Sequence, residues 1–329
     1  MRLVAALFIV IALGAGCSGP SGVEVSHDWR GVTGVVAADV DGLVTVTGLD
    51  PGRSESRNLA VLPTRDDDDP VSGPVVVRQR NGDSLLIRPT TGGRDLLYRI
   101  ESGDDALDRV GSVAGGARLY PSANGWAEVV AQGTGASVRV LTADLSEVFA
   151  MRLAIAPDVV ATDGARHLCV AANGEGTARV VSVDLQQRRS SDPIGLRSTV
   201  GVLGCTDQGP LVGVESDPAA ESGSAPTARL VDGRVRALEI DGGRLDAMLP
   251  DGRTVYAVVA RGGTVSVLTV DLASGRTLDV HRLGKVEVTD DAFLIDHSLV
   301  VAGDERAAVL DLTTGVVGTV TLAGPVFPG

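Results

Sequence analysis

The sequence predicts an all-β fold built from repeated units, and three observations carry this prediction. A phrase of alternating apolar residues that ends at an acidic turn position recurs along the chain, as in "VSVLTVDLASGRTLDVHRL" at residues 265–283. Its period of two residues is typical of strands, whereas a helix would show a period of 3.6. The 329 residues are 44% hydrophobic and include 42 glycines, which favours a large core joined by many tight turns.

The spacing of the phrases predicts the architecture. The acidic turn positions recur every 39 to 51 residues and are Asp50, Glu101, Asp144, Asp184, Asp232, Asp271 and Asp311. Repeats of this length with four short strands indicate the blades of a β-propeller, because a lone sheet cannot bury two apolar faces. Seven phrases predict a seven-bladed β-propeller of four-stranded antiparallel blades over residues 31–329. Each aspartate is expected to accept hydrogen bonds from the turn that follows it.

The individual units follow one order of strands, called a, b, c and d. The clearest units span residues 156–194 and 244–283. The first unit is one strand short, since "VTGVVAAD", "LVTVTGL" and "SRNLAVL" match only b, c and d. Its innermost strand is expected from "PVFPG" at 325–329, with "VEVSHDW" at 23–29 as the alternative. The c and d strands resemble YVTN and quinoprotein-type propeller repeats, a resemblance that implies a fold and very little chemistry.

The first residues predict a secretory signal over residues 1–16. Arg2 precedes an apolar run from Leu3 to Leu13, which is shorter than the roughly 20 residues that a membrane-spanning helix needs. Small residues then lead to Cys17. The segment Gly14 to Cys17 resembles the lipobox of bacterial lipoproteins, although Gly14 stands where leucine is usual.

This resemblance implies that Cys17 is lipidated and becomes the mature N-terminus. Residues 17–30 would then form a tether that holds the propeller on the extracytoplasmic face of the cell membrane. An ordinary cleaved signal that happens to contain a cysteine is the alternative. Several acyl chains bind a membrane firmly, at about 0.8 kcal/mol per buried methylene.

Two further cysteines, Cys169 and Cys205, form an even pair in a chain predicted to be exported, where disulfides persist. Cys169 falls in strand b of one blade and Cys205 at the end of strand a of the next. Adjacent blades can bring their Cα atoms within the roughly 4.4 to 6.8 Å that a disulfide needs. We therefore predict a disulfide, with two buried free thiols as the alternative.

Charge and composition exclude several functions. The chain has 42 acidic and 29 basic residues, and its net charge of -13 opposes nucleic-acid binding, which depends on Lys and Arg. The run Asp66 to Asp69 suggests calcium, but consecutive carboxylates cannot all point inward, so a solvated acidic loop is predicted. Aromatic residues make up only 3%, which counts against stacking on sugars or quinones.

No local motif predicts catalysis, a metal or a cofactor. The histidines His27, His167, His281 and His297 fall in different units without the spacing of metal ligands. His167 near Cys169 is the one suggestive neighbourhood, and a structural role is expected there too. We predict a lipid-anchored, non-catalytic scaffold that binds another cell-envelope protein. The alternative is an extracytoplasmic lyase or hydrolase with its site at the mouth of the propeller channel, because propeller enzymes assemble sites from several blades.

Overall fold

The computed structural model describes residues 24–25, 30–41, 43–62, 73–100, 107–174, 177–197, 199–214, 227–231, 235–240, 243–286 and 291–327. Every regular element in these ranges is a β-strand. The strands form successive antiparallel units in which a, b, c and d pair in chain order. The predicted all-β architecture of four-stranded antiparallel units is confirmed.

The strands of the first half of the chain form units 1 to 3. Unit 1 and the strand before it comprise β1 (Glu24–Val25), β2 (Gly34–Val40), β3 (Leu43–Asp50) and β4 (Glu55–Leu62). Unit 2 comprises β5 (Val75–Arg78), β6 (Ser84–Arg88), β7 (Arg94–Ile100) and β8 (Leu107–Ala114). Unit 3 comprises β9 (Arg118–Ser122), β10 (Gly125–Gln132), β11 (Gly135–Thr142) and β12 (Glu147–Leu153).

The remaining strands form units 4 to 7. Unit 4 comprises β13 (Val159–Thr162), β14 (His167–Gly174), β15 (Thr177–Asp184), β16 (Arg189–Ser190) and β17 (Ile194–Arg197). Unit 5 comprises β18 (Thr199–Thr206), β19 (Gly209–Val214), β20 (Thr227–Val231) and β21 (Val235–Ala237). Unit 6 comprises β22 (Arg244–Asp251), β23 (Thr254–Arg261), β24 (Thr264–Asp271) and β25 (Thr277–Gly284). Unit 7 comprises β26 (Asp291–Ile295), β27 (Ser298–Ala302), β28 (Arg306–Asp311) and β29 (Val317–Thr321).

Units 1 and 7 belong to one eight-stranded sheet. Their outer strands β4 and β29 meet in a single parallel pair, Glu55 with Thr321. Units 2, 3, 5 and 6 are separate four-stranded sheets, and unit 4 has two short segments, β16 and β17, at its outer edge. Residues 191–193 separate these two stretches, which both pair with β15.

Unit 1 obtains its inner strand from the C-terminal segment, as expected. Ala38 of β2 forms an antiparallel bridge with Val326. The N–H of Phe327 donates to the carbonyl oxygen of Ala37 at 2.9 Å, and the N–H of Asp39 donates to that of Pro325 at 2.9 Å. This pairing joins the two ends of the described chain into a ring.

The alternative segment lies on the opposite edge of the same unit. Glu24 and Val25 of β1 pair with Val61 and Ala60 of β4, the outer strand. Glu24 and Val25, which lie in the predicted tether of residues 17–30, therefore extend the sheet through their backbone groups.

The core consists of apolar clusters between neighbouring units. Units 4 and 5, for example, share a cluster that includes Val180, Leu196 and Val212. Units 1 and 7 share another that includes Val36, Phe293 and Val326. Because strand residues alternate between two faces, each sheet buries one face against the unit before it and the other against the unit after it.

The turns divide the ring into two faces. One face carries the a–b and c–d turns, and we call it the acidic face because its c–d turns begin at Asp50, Asp144, Asp184, Asp271 and Asp311. Glu101 and Asp232, the other two predicted turn positions, lie outside the described residues. The opposite face carries the b–c turns and the connections between units, and we call it the linker face.

The turn aspartates have the predicted structural role. Asp311 Oδ1 accepts the N–H groups of Thr313 and Thr314 at 2.8 and 3.0 Å. Asp271 Oδ2 accepts both the N–H and the hydroxyl of Ser274, at 2.9 and 2.6 Å. These hydrogen bonds favour the charged form and lower the pKa of both carboxyls.

Candidate functional site

A central cavity lies between the inner strands of several units. Its volume is about 830 Å³, within the range typical of ligand pockets. The inner strands of units 2, 3, 6 and 7 supply apolar walls that include Val75, Leu119, Leu249 and Leu294. The a–b turn of unit 4 contributes Asp163 and its neighbours. The walls thus come from several units. No single stretch of sequence could therefore indicate the cavity.

Arg78 is buried in the wall of this cavity and joins three units. Its Nε donates to the carbonyl oxygen of Val35 in unit 1 at 2.7 Å, and its Nη1 donates to that of Val76 at 3.1 Å. Its Nη2 lies 2.6 Å from Oδ2 of Asp291 in unit 7, and both side chains are about 5% exposed. The guanidinium also stacks on the ring of Phe293, 3.8 Å from the centroid.

Burial dominates the electrostatics of this pair. Removal from water raises the pKa of Asp291, and the positive charge of Arg78 opposes that shift. The contact at 2.6 Å is charge-assisted, and the remaining donors of Arg78 reach carbonyl oxygens. The pair thus connects units 1, 2 and 7 through the carbonyl oxygen of Val35 and the carboxylate of Asp291.

At the acidic face, a–b turns of different units contact one another beside the cavity. Arg80 Nη2 lies 2.5 Å from Asp251 Oδ1 of unit 6. The carbonyl oxygen of Arg80 accepts the N–H of Asp296 of unit 7 at 2.6 Å. On the other side, Gln79 Nε2 donates to the carbonyl oxygen of Gly125 of unit 3 at 2.7 Å. These contacts fix the a–b turn of unit 2 across the end of the cavity.

His167 belongs to a polar cluster beside this end. Its Nδ1 lies 2.7 Å from Asp163 Oδ2, and its Nε2 lies 3.9 Å from Asp184 Oδ2. Asp163 Oδ1 accepts the N–H groups of Ala165, Arg166 and His167. Arg166 donates to both carboxylate oxygens of Asp184, at 3.1 and 2.6 Å, and lowers the pKa of Asp184 to about 2. The cluster mainly fixes two turns of unit 4.

Cys169 and Cys205 are joined by a disulfide in the structure, with their Cα atoms 5.4 Å apart. Both residues are fully buried in the cluster between units 4 and 5. Cys169 lies in β14, a b strand, and Cys205 near the end of β18, an a strand, as the sequence pattern placed them. The oxidised state of the protein itself remains a prediction, which thiol labelling checks.

The other predicted site residues do not gather at the cavity. Cys17, His27 and Asp66 to Asp69 lie outside the described residues. His281 Nε2 lies 3.1 Å from Asp279 on the outer strand of unit 6, and His297 lies in the a–b turn of unit 7. Within the described ranges, no group of three or more His, Cys, Asp or Glu side chains has a geometry that suits a metal ion. The same ranges contain no helix that meets the length and hydropathy needed for a membrane span.

Sequence reasoning missed the cavity and the Arg78–Asp291 pair. The only local signal was a charged residue at the end of one apolar strand, "VVVR" at 75–78, and another at the start of "DAFLI" at 291–295. Because the two strands are far apart in the chain, their contact depends on ring closure and not on local pattern.

Comparisons with known proteins concern the fold. No protein-family model matches the chain, and a search of curated proteins found no match. Among solved structures, the uncharacterized protein lmo1340 from Listeria monocytogenes EGD-e is 10% identical with a TM-score of 0.53, over 79% of this chain and 86% of that one. The β-propeller domain of the trilobed protease from Pyrococcus furiosus is 10% identical with a TM-score of 0.50, over 85% of this chain and 84% of that one.

Hydrazine synthase from Kuenenia stuttgartiensis is 14% identical with a TM-score of 0.50, over 92% of this chain and 99% of that one. At such identities the likeness extends to the fold alone. Together with the ring of four-stranded units, it shows that the chain has a β-propeller fold.

Proposed function

We propose that the chain is a bacterial membrane lipoprotein whose seven-bladed propeller, of YVTN/quinoprotein-like repeats, binds another protein of the cell envelope without catalysing a reaction. Each structural unit counts as one blade, so that the eight-stranded sheet contributes two. The apolar clusters at the junctions of units 7 with 1 and 1 with 2 support this count. The signal pattern before Cys17 supports the lipid anchor and the extracytoplasmic location.

The observation that carries the binding role is the pairing of the charged groups around the central cavity. Arg78 is paired with Asp291, and Arg80 with Asp251. Asp95 accepts the N–H groups of Thr90 and Gly116 at 3.1 and 3.4 Å. A general acid, base or nucleophile must reach the substrate, whereas these groups already hold strands and turns together. The wall of the cavity thus favours recognition over chemistry.

The acidic face is the surface that we assign to the partner. Asp50 and Asp184 are paired with Arg57 and Arg166. The turn carboxylates of Asp144, Asp271 and Asp311 are the ones that favour a partner whose contact surface is basic. Glu55 and Asp207 are exposed on this face and do not brace a turn, so they are suited to substitution.

Crosslinking in intact cells tests the proposal. Glu55→Arg and Asp207→Arg should each reduce capture of a specific envelope protein at least several-fold, while the thermal midpoint hardly changes, because exposed substitutions cost under about 0.5 kcal/mol. Asp304→Arg, an exposed reversal on the linker face, is the matched control and should retain capture. Equal capture by all three variants and the parent protein would contradict the assignment of the acidic face.

An enzymatic role, as a lyase or hydrolase, is the second candidate because of His167. Its contact with Asp163, which lines the cavity, is an arrangement that can orient an imidazole as a general base. Under the binding proposal, His167→Ala keeps both partner capture and the cellular role. Loss of the cellular role with capture and folding intact would favour the enzyme instead.

A further inference from the structure

Unit 6 has a groove on its outer part, on the side that faces unit 5, with a volume of about 490 Å³. The strand register places Val259, Ser266 and Arg282 side by side across β23, β24 and β25. Arg261 and Thr264 form the next pair, at the b–c turn. Since alternate residues share a face, these side chains all lie on the same face of the sheet.

The groove carries positive charge in an acidic protein. Arg261 and Arg282 are exposed, and among the described residues neither guanidinium has a hydrogen-bond or ion-pair partner. The hydroxyls of Thr264 and Ser266 lie between them, and Glu239 of unit 5 is the one carboxylate that borders the groove within the described ranges. A guanidinium binds phosphate oxygens through two parallel hydrogen bonds, which makes phosphate esters suitable ligands here.

An exposed apolar side chain of β25, Val280, lines the groove and is 53% exposed. Cations beside exposed aliphatic side chains are the combination by which peripheral proteins bind anionic lipid surfaces.

The groove lies at the same face of the ring as Glu24, the first described residue after the proposed lipid anchor. Glu24 pairs with Val61 near the end of β4, so Glu24 lies at the linker face. The turn between Arg261 and Thr264 lies at the same face, as does the end of β25. Residues 17–23 span at most about 25 Å, so an anchor at Cys17 would hold the linker face near the bilayer.

We propose that the groove of Arg261, Thr264, Ser266 and Arg282 binds the phosphate headgroups of anionic phospholipids, with Val280 against the interface. This inference rests on the proposed membrane anchor and adds an orientation to it. The linker face is turned to the membrane and the acidic face is turned away, toward the partner protein.

Vesicle flotation tests the groove apart from the anchor. The protein is a chain that begins at residue 17 with Cys17→Ser, which contains every described strand but no site for lipid attachment. It should bind phosphatidylglycerol vesicles at low salt and lose most of that binding at high salt, because exposed charges are screened. Arg261→Glu with Arg282→Glu should weaken binding at least tenfold. Arg253→Glu with Arg276→Glu, two exposed reversals on the acidic face, is the matched control and should change it less than twofold.

The controls separate this proposal from its alternatives. Equal binding to phosphatidylcholine vesicles, equal loss in the control pair, or no binding to phosphatidylglycerol would overturn it. Displacement by millimolar inorganic phosphate at constant ionic strength would also overturn it, since it would indicate a site for free phosphate. The anchor is tested separately by cell fractionation, so a failed anchor with intact vesicle binding, or the reverse, can be recognised.

Discussion

At the scale of single residues, the buried pair of Arg78 and Asp291 is the most consequential contact. Each side chain is about 5% exposed, in contrast with 35% and 42% for Arg80 and Asp251. A buried charge that loses its partner has no water to replace it, whereas a half-exposed one is rehydrated. Two arginine–aspartate pairs of similar geometry should therefore differ strongly in their effect on stability.

We expect Arg78→Met to lower the free energy of unfolding by about 3 to 5 kcal/mol, because it leaves Asp291 charged and unpaired. The double variant Arg78→Met with Asp291→Leu should cost clearly less than the sum of the single changes. Arg80→Met is the matched control and should cost under about 1 kcal/mol. Urea unfolding of the parent, Arg78→Met, Asp291→Leu, their double variant and Arg80→Met measures these values, and strictly additive single effects would contradict the coupling.

Asp184 gives a prediction for acid pH. Its pKa falls from the ordinary 3.8 to about 2 in the folded protein, mainly because Arg166 donates to its carboxylate. A lowered folded-state pKa contributes stability above about pH 4, and this contribution is lost as the pH falls toward 2. Asp184→Asn should therefore destabilise the protein at pH 6, by up to about 1 kcal/mol for a partly exposed pair.

The same variant should differ less from the parent protein at pH 2, where about half of the parent carboxylates are protonated. Thermal unfolding at pH 6, 4, 3 and 2 follows the difference. Asp207→Asn, at an exposed turn on the same face, serves as the control. A difference between Asp184→Asn and the parent that stays constant over this range would exclude the ion pair as its cause.

At the scale of strands and units, the link between units 4 and 5 is the main covalent constraint. Cys169 and Cys205 are 36 residues apart in sequence. A disulfide that closes a loop of this length stabilises the folded state by about 3 to 4 kcal/mol in the chain-entropy model. Its effect should be local, since it fastens the junction of one pair of blades.

We expect the Cys17→Ser protein, denatured without a reductant, to show no free thiol in a labelling assay. Prior reduction should expose two thiols and lower the unfolding midpoint. Cys169→Ala with Cys205→Ala should match the reduced parent protein in stability. Two reactive thiols in the unreduced sample would show that the cysteines are buried but not bonded.

The strands themselves were largely predictable from the sequence, and the site was not. A period of two and an Asp at the end of strand c are local signals, so β22 to β25 match the sequence prediction closely. The interrupted outer edge of unit 4 was missed, because the break after Ser190 lies in a polar stretch without alternation. The cavity was not predicted, because its wall consists of side chains that several units direct toward a common axis.

At the scale of the whole molecule, the proposed anchor is the feature that decides where the protein acts. With Cys17→Ser, the protein should leave the membrane fraction or accumulate as the unprocessed precursor. The change lies before β1, so the unfolding of the propeller should not alter. Cell fractionation and the mass of the mature protein provide the measurement. Unchanged processing together with unchanged membrane retention would contradict lipidation at Cys17.

Unit 1 can close only after Val326 has been synthesised. The bridge to Ala38 joins positions near the two ends of the described chain. During translation, unit 1 therefore waits with an unpaired inner edge until almost all other units have been made, and contacts between such distant residues form slowly. A product that stops early keeps this edge open and leaves apolar faces uncovered, so proteases can recognise it.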